Sequence, residues 1–481
     1  MAADLTRIES FQYPSGHFAH LSDNQQAQLQ EFKQLCQDGG YYTPAGVDGK
    51  SEASHDDETL LRFLRARRFV PQEAYKQFQD TEEWRKENGI DNLFLTIETE
   101  EFEQTRRLYP QWIGRRDKRG IPVYLFEVAP LNSKNISQYE KDLAKAKTTS
   151  PKVPTKNLRL FALYESLTKF VQPLCSSVKR SHPETPISQS NNIVDIGGVG
   201  LKQFWNLKNH MQDASQLATA HYPETLDRIF IIGAPAFFPT VWGWVKRWFD
   251  PITVSKIFIL SPQNVFPTLS QYIEPENIPK KYGGQLDFTW GDMPHLEPEI
   301  ESQIKWEKPA TQNGKNTFPI GPIMWEKGEG GELKAVAVGN ENGQPRRRTV
   351  FTIPNPVTAQ SQAVANTPVE EAKEPLTTVG TDTQPSDAAV EAADIDQTPP
   401  SDTPTSTATP QPESQPQPQS QPTIAANSVD LPIREGTSET AVEKTPEQKE
   451  VDAKLDAKET PVVETALTEQ AGSNGTPAAS K

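Results

Sequence analysis

The sequence predicts an α/β protein that begins with a helical bundle and ends in a disordered tail. Roughly the first 90 residues carry apolar side chains at helical spacing, the next part alternates short β-branched runs with helical segments, and composition changes near residue 355. We therefore expect a helical N-terminal domain at residues 1–95, an α/β lobe at 96–285, an extension packed on the lobe at 286–354, and a tail at 355–481.

Local signals mark the ends of the N-terminal helices. In LSDNQQAQLQEF, Ser22 is followed three residues later by Gln25, the spacing of a capping box at a helix start. The segment TLLRFLRARRF repeats leucine and phenylalanine at helical spacing. A further helix is predicted for PQEAYKQFQDTEEWRKENG, which opens on Pro71 and closes on Gly89.

Four short runs rich in β-branched and aromatic residues follow: IPVYLFEV, NNIVDI, RIFIIGA and KIFIL. Helical segments separate them, among them Arg159–Leu174 and Leu201–His221. Strands that alternate with helices require crossover connections, so we expect a largely parallel sheet. The runs are continuously apolar rather than alternating, which predicts that both faces of the sheet are covered.

One apolar stretch requires a choice between a membrane span and a soluble core. Residues Ile229–Val245 carry no charge over 17 positions and are flanked by Arg228 and Lys246. The stretch is slightly short for a span and contains Pro235 and Pro239. We therefore expect a buried strand that leads into an apolar helix.

The C-terminal tail accounts for almost the whole net charge of −15. Of the 64 acidic and 49 basic residues in the chain, the tail holds 21 and 7, which leaves 43 and 42 in the body. The tail has no aromatic residue and many Pro, Gln, Ser and Thr, a composition that cannot offset its ordering entropy and predicts disorder. The body is nearly neutral, so no nucleic-acid binding is expected.

The sequence shows no catalytic or metal-binding motif. The only cysteines, Cys36 and Cys175, lie far apart, which argues against a disulfide framework or a zinc site and fits a reducing compartment. The seven histidines show no metal-type pair spacing, and no G-x-S-x-G nucleophile elbow occurs. The N-terminus carries no apolar signal region. We expect a cytoplasmic protein that is not an enzyme and needs no metal or cofactor.

An apolar helix is predicted after Pro239. Its large apolar side chains recur at helical spacing and form one stripe: Val241, Trp244, Val245, Trp248 and Phe249. Trp242 adds a ring off that stripe, and Lys246 and Arg247 lie beside it. Two interpretations remain open, a buried core helix and a lid that enters a membrane interface.

Lys256 stands at the start of an apolar run in WFDPITVSKIFIL. A bare ammonium group is costly to bury. The lysine therefore faces water, pairs with a carboxylate or binds an anionic ligand, and the residues alone leave all three open.

Three blocks, LLRFLRARRF, YPETLDRIFIIGAPAFF and FDPITVSKIFIL, occur in this order and together resemble the CRAL-TRIO family, most closely its fungal phosphatidylinositol/phosphatidylcholine transfer proteins. The resemblance covers Ser22 to Gly284. It implies a helical N-terminal bundle on an α/β lipid-binding lobe, whose sheet forms the floor of a pocket for one lipid. It also implies a gating helix at Pro239–Phe249, with gating and membrane contacts from Phe237, Phe238, Trp242, Trp244, Val245, Trp248 and Phe249.

The resemblance assigns a role to Lys256. In members that bind phosphatidylinositol, the positions matching Glu224, Thr253 and Lys256 hold the inositol phosphate head group, and an arginine at the position of Arg67 supports the site. A cation and a hydroxyl suit a phosphate, and a carboxylate accepts hydrogen bonds from inositol hydroxyls. The alternative is a Lys256–Glu224 ion pair without a ligand.

The family's choline head-group set is matched less completely. Tyr124, Tyr164 and Ser190 match it, whereas Asn192 stands in place of threonine and Ile113 in place of tyrosine. Losing one aromatic face removes about 0.5–2 kcal/mol of cation–π attraction for a quaternary ammonium. The loop around RSHPETP is also longer than the resemblance implies. We expect phosphatidylinositol binding to be retained and phosphatidylcholine binding to be impaired.

The resemblance implies a monomeric, non-catalytic carrier that takes one phospholipid from a membrane, for transfer or for presentation to a phosphatidylinositol kinase. It also implies a cytoplasmic protein that binds Golgi or endosomal membranes transiently. Two alternatives stay open. One is a carrier of a sterol or fat-soluble vitamin, against which intact Lys256, Glu224 and Thr253 argue. The other is a scaffold whose tail recruits partners.

Overall fold

Helices form the N-terminal part of the chain, as predicted. The computed structural model describes residues 12–47, 51–147, 154–248, 251–307, 310–312, 315–329 and 331–354. The N-terminal helices are α1 (Asp23–Asp38), α2 (Asp57–Ala66), α3 (Pro71–Asn88), α4 (Ile90–Thr96) and α5 (Thr99–Arg106).

The predicted end signals of these helices are confirmed. At the start of α1, the Gln25 N–H donates to the Ser22 Oγ at 3.3 Å, and the Ser22 N–H donates to the Gln25 Oε1 at 2.9 Å. Helix α3 begins at Pro71 and is capped by Gly89. The φ of Gly89 is 57°, a left-handed conformation that glycine adopts at little cost.

The α/β lobe is built on a five-stranded sheet in the order β1-β2-β3-β4-β5. Its strands are β1 (Gln111–Arg116), β2 (Pro122–Glu127), β3 (Ser190–Asp195), β4 (Leu226–Ile232) and β5 (Ile257–Ile259). Strands β2 to β5 are parallel, as predicted, and β1 is an antiparallel strand that was not predicted. The helices of the lobe are α6 (Ser133–Leu143), α7 (Thr155–Ser166), α8 (Gln172–Ser177), α9 (Leu201–Asn206), α10 (Lys208–His221), α11 (Phe238–Val245), α12 (Pro251–Ser255) and α13 (Val265–Tyr272).

The two faces of this sheet differ in burial. Back-face side chains pack against α13 and the segment after it and are at most 3 % exposed: Val123, Leu125, Ile193, Phe230 and Ile232. On the front face, several of the side chains that alternate with them are only half-buried: Tyr124, Phe126, Val194, Ile229 and Ile257. The prediction that both faces are covered is wrong for this part of the sheet. A strand that lines an apolar cleft has the same continuously apolar sequence as a strand covered by helices.

The uncharged stretch Ile229–Val245 is a strand followed by a short helix, as expected. Strand β4 ends at Ile232, and α11 begins at Phe238. Between them, Gly233 has a φ of 68°, and a Cβ there would lie 2.7 Å from the Gly197 nitrogen, so this turn requires glycine. None of the described helices is long and apolar enough to cross a membrane.

The predicted apolar helix Pro239–Phe249 has different bounds in the structure. Helix α11 ends at Val245, a 3-10 turn follows at Lys246–Trp248, and Phe249 lies outside the described residues. Helices commonly tighten in their last turn. The backbone of Trp248, the last described residue of the predicted stripe, therefore lies outside the α-helix.

Residues after the lobe form a second, antiparallel sheet that was not predicted. Its four strands lie in the order β6-β13-β10-β9. The elements of this part are α14 (Pro298–Glu301), β6 (Lys305–Trp306), β7 (Ala310–Gln312), β8 (Lys315–Thr317), β9 (Ile323–Lys327), β10 (Leu333–Ala337), β11 (Asn340–Glu341), β12 (Gln344–Pro345) and β13 (Arg348–Ile353). Phe318 and Phe351 pack with Trp112 and Phe170 of the lobe. The predicted disordered tail, 355–481, lies outside the described residues.

Candidate functional site

Lys256 is neutralised by a carboxylate. Its Nζ donates to the Glu224 Oε2 and to the Leu226 carbonyl oxygen, each at 2.9 Å. The lysine side chain is 9 % exposed and that of Glu224 is 11 % exposed. Exposure to water is thereby excluded, and two of the three interpretations of Lys256 remain: an ion pair alone, or an ion pair that also binds an anion.

The backbone holds Glu224 in an uncommon conformation. Its φ is 55°, in the left-handed region that residues other than glycine seldom adopt. The residue lies in the turn between α10 and β4, where its carboxylate meets Lys256. Backbone strain of this kind costs on the order of 1–3 kcal/mol and is concentrated at functional sites.

Thr253 is brought close to Lys256, whereas Arg67 is not. Thr253 is half-buried in α12, and the Lys256 N–H donates to its carbonyl oxygen at 3.1 Å. Arg67 follows the last residue of α2, and its Nη1 donates to the Ala66 carbonyl oxygen at 3.4 Å. Among the described contacts, Arg67 makes none with Glu224.

A different arginine of α2 is fixed in the interior. Arg65 is fully buried, and its guanidinium donates to the Glu58 Oε1 at 2.7 Å, to the Ser188 Oγ at 3.2 Å and to the Gly16 carbonyl oxygen at 3.2 Å. These contacts tie α2 to the segment before β3 and to the chain N-terminal to α1. The block LLRFLRARRF contains four arginines, and their spacing alone did not indicate that Arg65 is the one fixed by these contacts.

His17 lies in the N-terminal segment, residues 12–22, near enough to Arg65 and Lys256 for their charges to act on it. The histidine is fully buried, its Nδ1 lies 3.0 Å from the Ser15 carbonyl oxygen, and its Nε2 has no hydrogen-bond partner among the described residues. Burial lowers the pKa of His17 well below its usual range, and the positive charges of Arg65 and Lys256 lower it further. The imidazole is therefore neutral near neutral pH.

A buried ionic network lies at the start of β4, and the sequence analysis missed it. Arg119 donates to the carboxylates of Asp117 and Asp227, and Arg228 also pairs with Asp227. The Asn191 amide donates to Asp117 at 2.9 Å. Burial raises the pKa of Asp117 in spite of the Arg119 charge. The members come from three separate parts of the chain, so no local motif marks them.

Two rows of side chains cross the front face of the sheet in register. The rows are Tyr124, Asn192, Ile229, Ile257 and Phe126, Val194, Ile231, Ile259. We call these eight residues the front-face ladder. All except Asn192 are apolar or aromatic, most are only partly buried, and Ile259 at the sheet edge is 42 % exposed. An apolar surface left open in this way is typical of a ligand cleft.

Three of the four residues matched to a choline site lie together at one end of the ladder. Tyr124 and Asn192 are neighbours across β2 and β3, and the Asn192 Nδ2 donates to the Ser190 Oγ at 3.2 Å. Tyr164 stacks on Tyr222 with ring centroids 4.7 Å apart. Burial raises the pKa of Tyr164 to about 12, so the phenol is uncharged.

Ile113, which stands where the resemblance has tyrosine, does not face these residues. Its side chain is fully buried in the back-face core with Val123. A bulge interrupts the pairing between Trp112 and Arg115, and Trp112 is the residue that pairs with Tyr124. An aromatic ring is therefore present beside Tyr124, although Ile113 does not supply it.

Helix α11 packs over part of the ladder. Phe238 and Val241 are 3 % exposed and belong to one apolar cluster with Ile231. Trp242 is half-buried and stacks on Phe238 with ring centroids 6.2 Å apart, and Phe237 is half-buried against the same cluster. The remaining side chains predicted to form the gate lie outside the described part of the structure: Trp244, Val245, Trp248 and Phe249.

The structure combines a helical N-terminal part with a mostly parallel sheet. One face of this sheet is apolar and half-open, and a short helix lies over it, as expected for a lipid-binding protein of the class that the sequence blocks resemble. The CRAL/TRIO domain family matches residues 106–284, and the CRAL/TRIO N-terminal domain family matches residues 28–80. The chain belongs to the CRAL/TRIO family, which confirms the resemblance carried by the three sequence blocks.

The curated relatives that match this chain include several Sec14 proteins. The SEC14 cytosolic factor of Kluyveromyces lactis is 35 % identical over 321 residues, covering 63 % of this chain and 98 % of that protein. The Sec14 cytosolic factor of Schizosaccharomyces pombe is 33 % identical over 278 residues, covering 58 % of this chain and 88 % of that protein. The phosphatidylinositol/phosphatidylcholine transfer protein SFH7 of Arabidopsis thaliana is 34 % identical over 240 residues, covering 50 % and 41 %. The chain is thus similar to Sec14 proteins.

Proposed function

We propose that this protein binds phosphatidylinositol over the front-face ladder and carries it between membranes. The observation that supports this most strongly is a half-open apolar sheet face whose edge strand, β5, begins directly after the buried Lys256–Glu224 pair. A phospholipid needs both features, an apolar surface for its acyl chains and charged groups for its head. The similarity to a protein named as a phosphatidylinositol/phosphatidylcholine transfer protein favours the same ligand.

In this proposal the Lys256–Glu224 pair is part of the head-group site. An ammonium group has three donors, and the described contacts of Lys256 use two of them. The third donor and the Thr253 hydroxyl would hold the phosphodiester. The Glu224 carboxylate retains acceptor positions for inositol hydroxyls. Arg67 would support the site only after its side chain turns away from the Ala66 carbonyl.

The free energy gained by burying the acyl chains explains why such a carrier needs a gate. Sequestering about 30 acyl methylenes at roughly 0.8 kcal/mol each is worth on the order of 25 kcal/mol against water. A bound lipid therefore does not escape directly into solution, and exchange takes place on a membrane. We assign the gate to α11, because its Phe238 and Val241 cover the ladder.

Phosphatidylcholine is proposed as a weaker second ligand. Tyr124, Ser190 and Asn192 lie together at the end of the ladder, and Trp112 provides a further ring beside Tyr124. That ring also stacks on Phe318 with centroids 6.1 Å apart, which limits the aromatic face it can offer to a choline group.

We further propose that the loaded protein presents phosphatidylinositol to a lipid kinase and works in the cytoplasm, with transient binding to Golgi or endosomal membranes. The relatives named cytosolic factors support the cytoplasmic location. Phosphatidylinositol kinase activity on vesicles should increase when the wild-type protein is added. A fluorescently tagged chain that stays on a different membrane would contradict the assigned location.

Lys246→Glu/Arg247→Glu is expected to weaken binding to anionic vesicles. Both side chains are exposed in the turn directly after α11. A basic residue near an anionic membrane contributes about 1 kcal/mol, so reversing two charges should lower affinity more than about tenfold at low salt. Trp242→Ala/Trp244→Ala should also weaken it by removing interfacial rings. Vesicle sedimentation measures both effects.

The control for this charge reversal is Lys141→Glu/Lys145→Glu. These two lysines are also exposed and lie close together, but far from α11 in the chain. Equal losses in the two double variants would show a general charge effect and contradict docking through the α11 region.

Val194→Trp is expected to block lipid uptake without unfolding the protein. Val194 is half-buried in the second ladder row, between Phe126 and Ile231. A tryptophan there would fill the space in the cleft that the acyl chains need. Transfer of fluorescent phosphatidylinositol between vesicles should fall more than about tenfold.

Val194→Ala is the matched control at the same position. It enlarges the cleft instead of filling it, so transfer should continue, with a stability loss of about 1 kcal/mol. Wild-type transfer rates from a folded Val194→Trp protein would contradict the placement of the lipid over the ladder.

A further inference from the structure

Three side chains with no role in the lipid site meet beside the N-terminal segment. The His20 Nε2 lies 2.7 Å and the His182 Nδ1 lies 3.3 Å from the same atom, the Glu184 Oε1. The three ligand-type atoms all lie within 4.8 Å of one another. In the part of the chain that the structure describes, no other three histidine, cysteine or carboxylate groups meet in this way.

The three residues come from two segments that are far apart in sequence. His20 lies in the N-terminal segment, whereas His182 and Glu184 belong to the RSHPETP loop, the loop that is longer than the family resemblance implies. The spacing of histidines along the chain therefore could not indicate this cluster, and the fold alone brings it together.

The RSHPETP loop is held in one shape by its own contacts. The Arg180 guanidinium donates to the carbonyl oxygens of Ser176, Pro183 (3.0 Å) and Thr185 (2.9 Å). The Thr185 hydroxyl donates to the Phe18 carbonyl oxygen at 2.9 Å, which ties the loop to the N-terminal segment. The two imidazoles of His20 and His182 thus meet edge to face, with ring centroids 5.2 Å apart.

The chemistry of the cluster suits a metal ion. Imidazole nitrogen and carboxylate oxygen are ordinary zinc ligands, at bond lengths of about 2.0–2.2 Å. The side chains of His20, His182 and Glu184 are 32, 35 and 44 % exposed, so an ion from solution can reach them. In tetrahedral coordination the ligand atoms lie about 3.3 Å apart, which requires only small side-chain rotations from the distances here.

We propose that His20, His182 and Glu184 bind one Zn²⁺ ion, with a water molecule as the fourth ligand. Zinc has no electronic preference for one geometry, so it accepts a site that is not fully regular. The ion would join the N-terminal segment to the RSHPETP loop. The Gly16 carbonyl oxygen of the same segment accepts from the Arg65 guanidinium at 3.2 Å, so the ion would also fix the contact of this segment with α2.

Zinc uptake by the chelator-treated full-length protein tests this site, measured near neutral pH in competition with a chromophoric zinc chelator. The wild type is expected to bind one equivalent, and His182→Gln and Glu184→Gln to bind it more than about tenfold more weakly. Both positions are partly exposed, and circular dichroism verifies the fold. The matched control is His55→Gln: His55 lies 3.6 Å from Glu82, and this pair belongs to no three-membered group among the described residues. This variant should keep the full equivalent.

Hydrogen–deuterium exchange provides a readout of the bridge itself. Zinc should slow amide exchange in residues 12–22 of the wild type and leave exchange in His182→Gln unchanged. No zinc uptake by the wild type, or equal uptake by His182→Gln and Glu184→Gln, would overturn the proposal.

Discussion

Lys256→Met is expected to abolish phosphatidylinositol transfer while the front-face ladder stays intact. The substitution removes the ammonium group proposed to hold the phosphate and leaves the Glu224 carboxylate without its partner. A hydrogen bond to a charged group contributes about 1.5–3 kcal/mol, which corresponds to a loss of affinity of more than about tenfold. Transfer of labelled phosphatidylinositol between vesicles measures the effect. Lys118→Met, at a lysine that is 39 % exposed, should leave transfer unchanged.

A second substitution separates a head-group role of Lys256 from a structural one. In Lys256→Met/Glu224→Gln no charge stays buried at the pair, so the stability lost in the single variant, about 3 kcal/mol, should largely return. Transfer should not return, because the phosphate still lacks a cation. If the pair is only structural, the double variant will recover both stability and transfer, and that result would contradict the head-group assignment.

Glu165→Ala is expected to cause a large loss of stability. The Glu165 side chain is 1 % exposed and accepts from Arg85 at 2.7 and 3.0 Å, from Lys169 at 2.7 Å and from the Tyr222 hydroxyl at 2.7 Å. Removing the carboxylate leaves the Arg85 guanidinium, 15 % exposed, without this partner, which costs about 3–5 kcal/mol. The melting temperature should fall on the order of 10 °C.

The same substitution should weaken phosphatidylinositol transfer, although Lys256 is unchanged. Tyr222 precedes Glu224 by two residues, and its carbonyl oxygen accepts from the Thr225 hydroxyl at 3.0 Å. Glu165 therefore anchors the turn that positions the Glu224 carboxylate. Glu73→Ala, an exposed change on α3, is the control and should alter neither stability nor transfer. Unchanged melting of Glu165→Ala would contradict this role.

Stability should also fall in acid through Glu165. Burial alone would raise the pKa of Glu165, but hydrogen bonds and charges from Arg85 and Lys169 outweigh it and hold the pKa below its usual value. A carboxyl group with a lowered folded pKa stabilises fully above its unfolded pKa of about 4.3, and this stabilisation is lost as pH falls through the folded pKa. The loss below about pH 4.3 should be smaller in Glu165→Gln. Equal acid sensitivity of the two proteins would exclude this origin.

Features that depend on neighbouring residues were predictable from the sequence. Ser22 with Gln25 sets the start of α1, and Pro71 and Gly89 set the ends of α3, because each acts within one helical turn. The runs of β2 to β5 were recognisable because buried parallel strands are continuously apolar. Two of the three blocks that carried the family resemblance contain β4 and β5, and the resemblance implied that Glu224 and Lys256 belong to one head-group site.

Features that depend on distant pairing were not predictable. The pairing of β1 with β2 places Trp112 beside Tyr124 and leaves Ile113 on the back of the sheet, and this register is not contained in the sequence of either strand alone. The half-open front face follows from which helices cover the sheet, and a continuously apolar strand is compatible with either outcome. His20 and His182 meet only through the fold, since neither lies near the other in sequence.

The cleft over the front-face ladder is most directly tested by identifying what it holds. Native mass spectrometry of the full-length chain purified from a eukaryotic host, with Lys256→Met alongside, provides this measurement. We predict one phosphatidylinositol molecule bound to the wild type and its loss from the variant. A bound sterol, or a wild-type chain that takes up no added phosphatidylinositol, would contradict the proposed function.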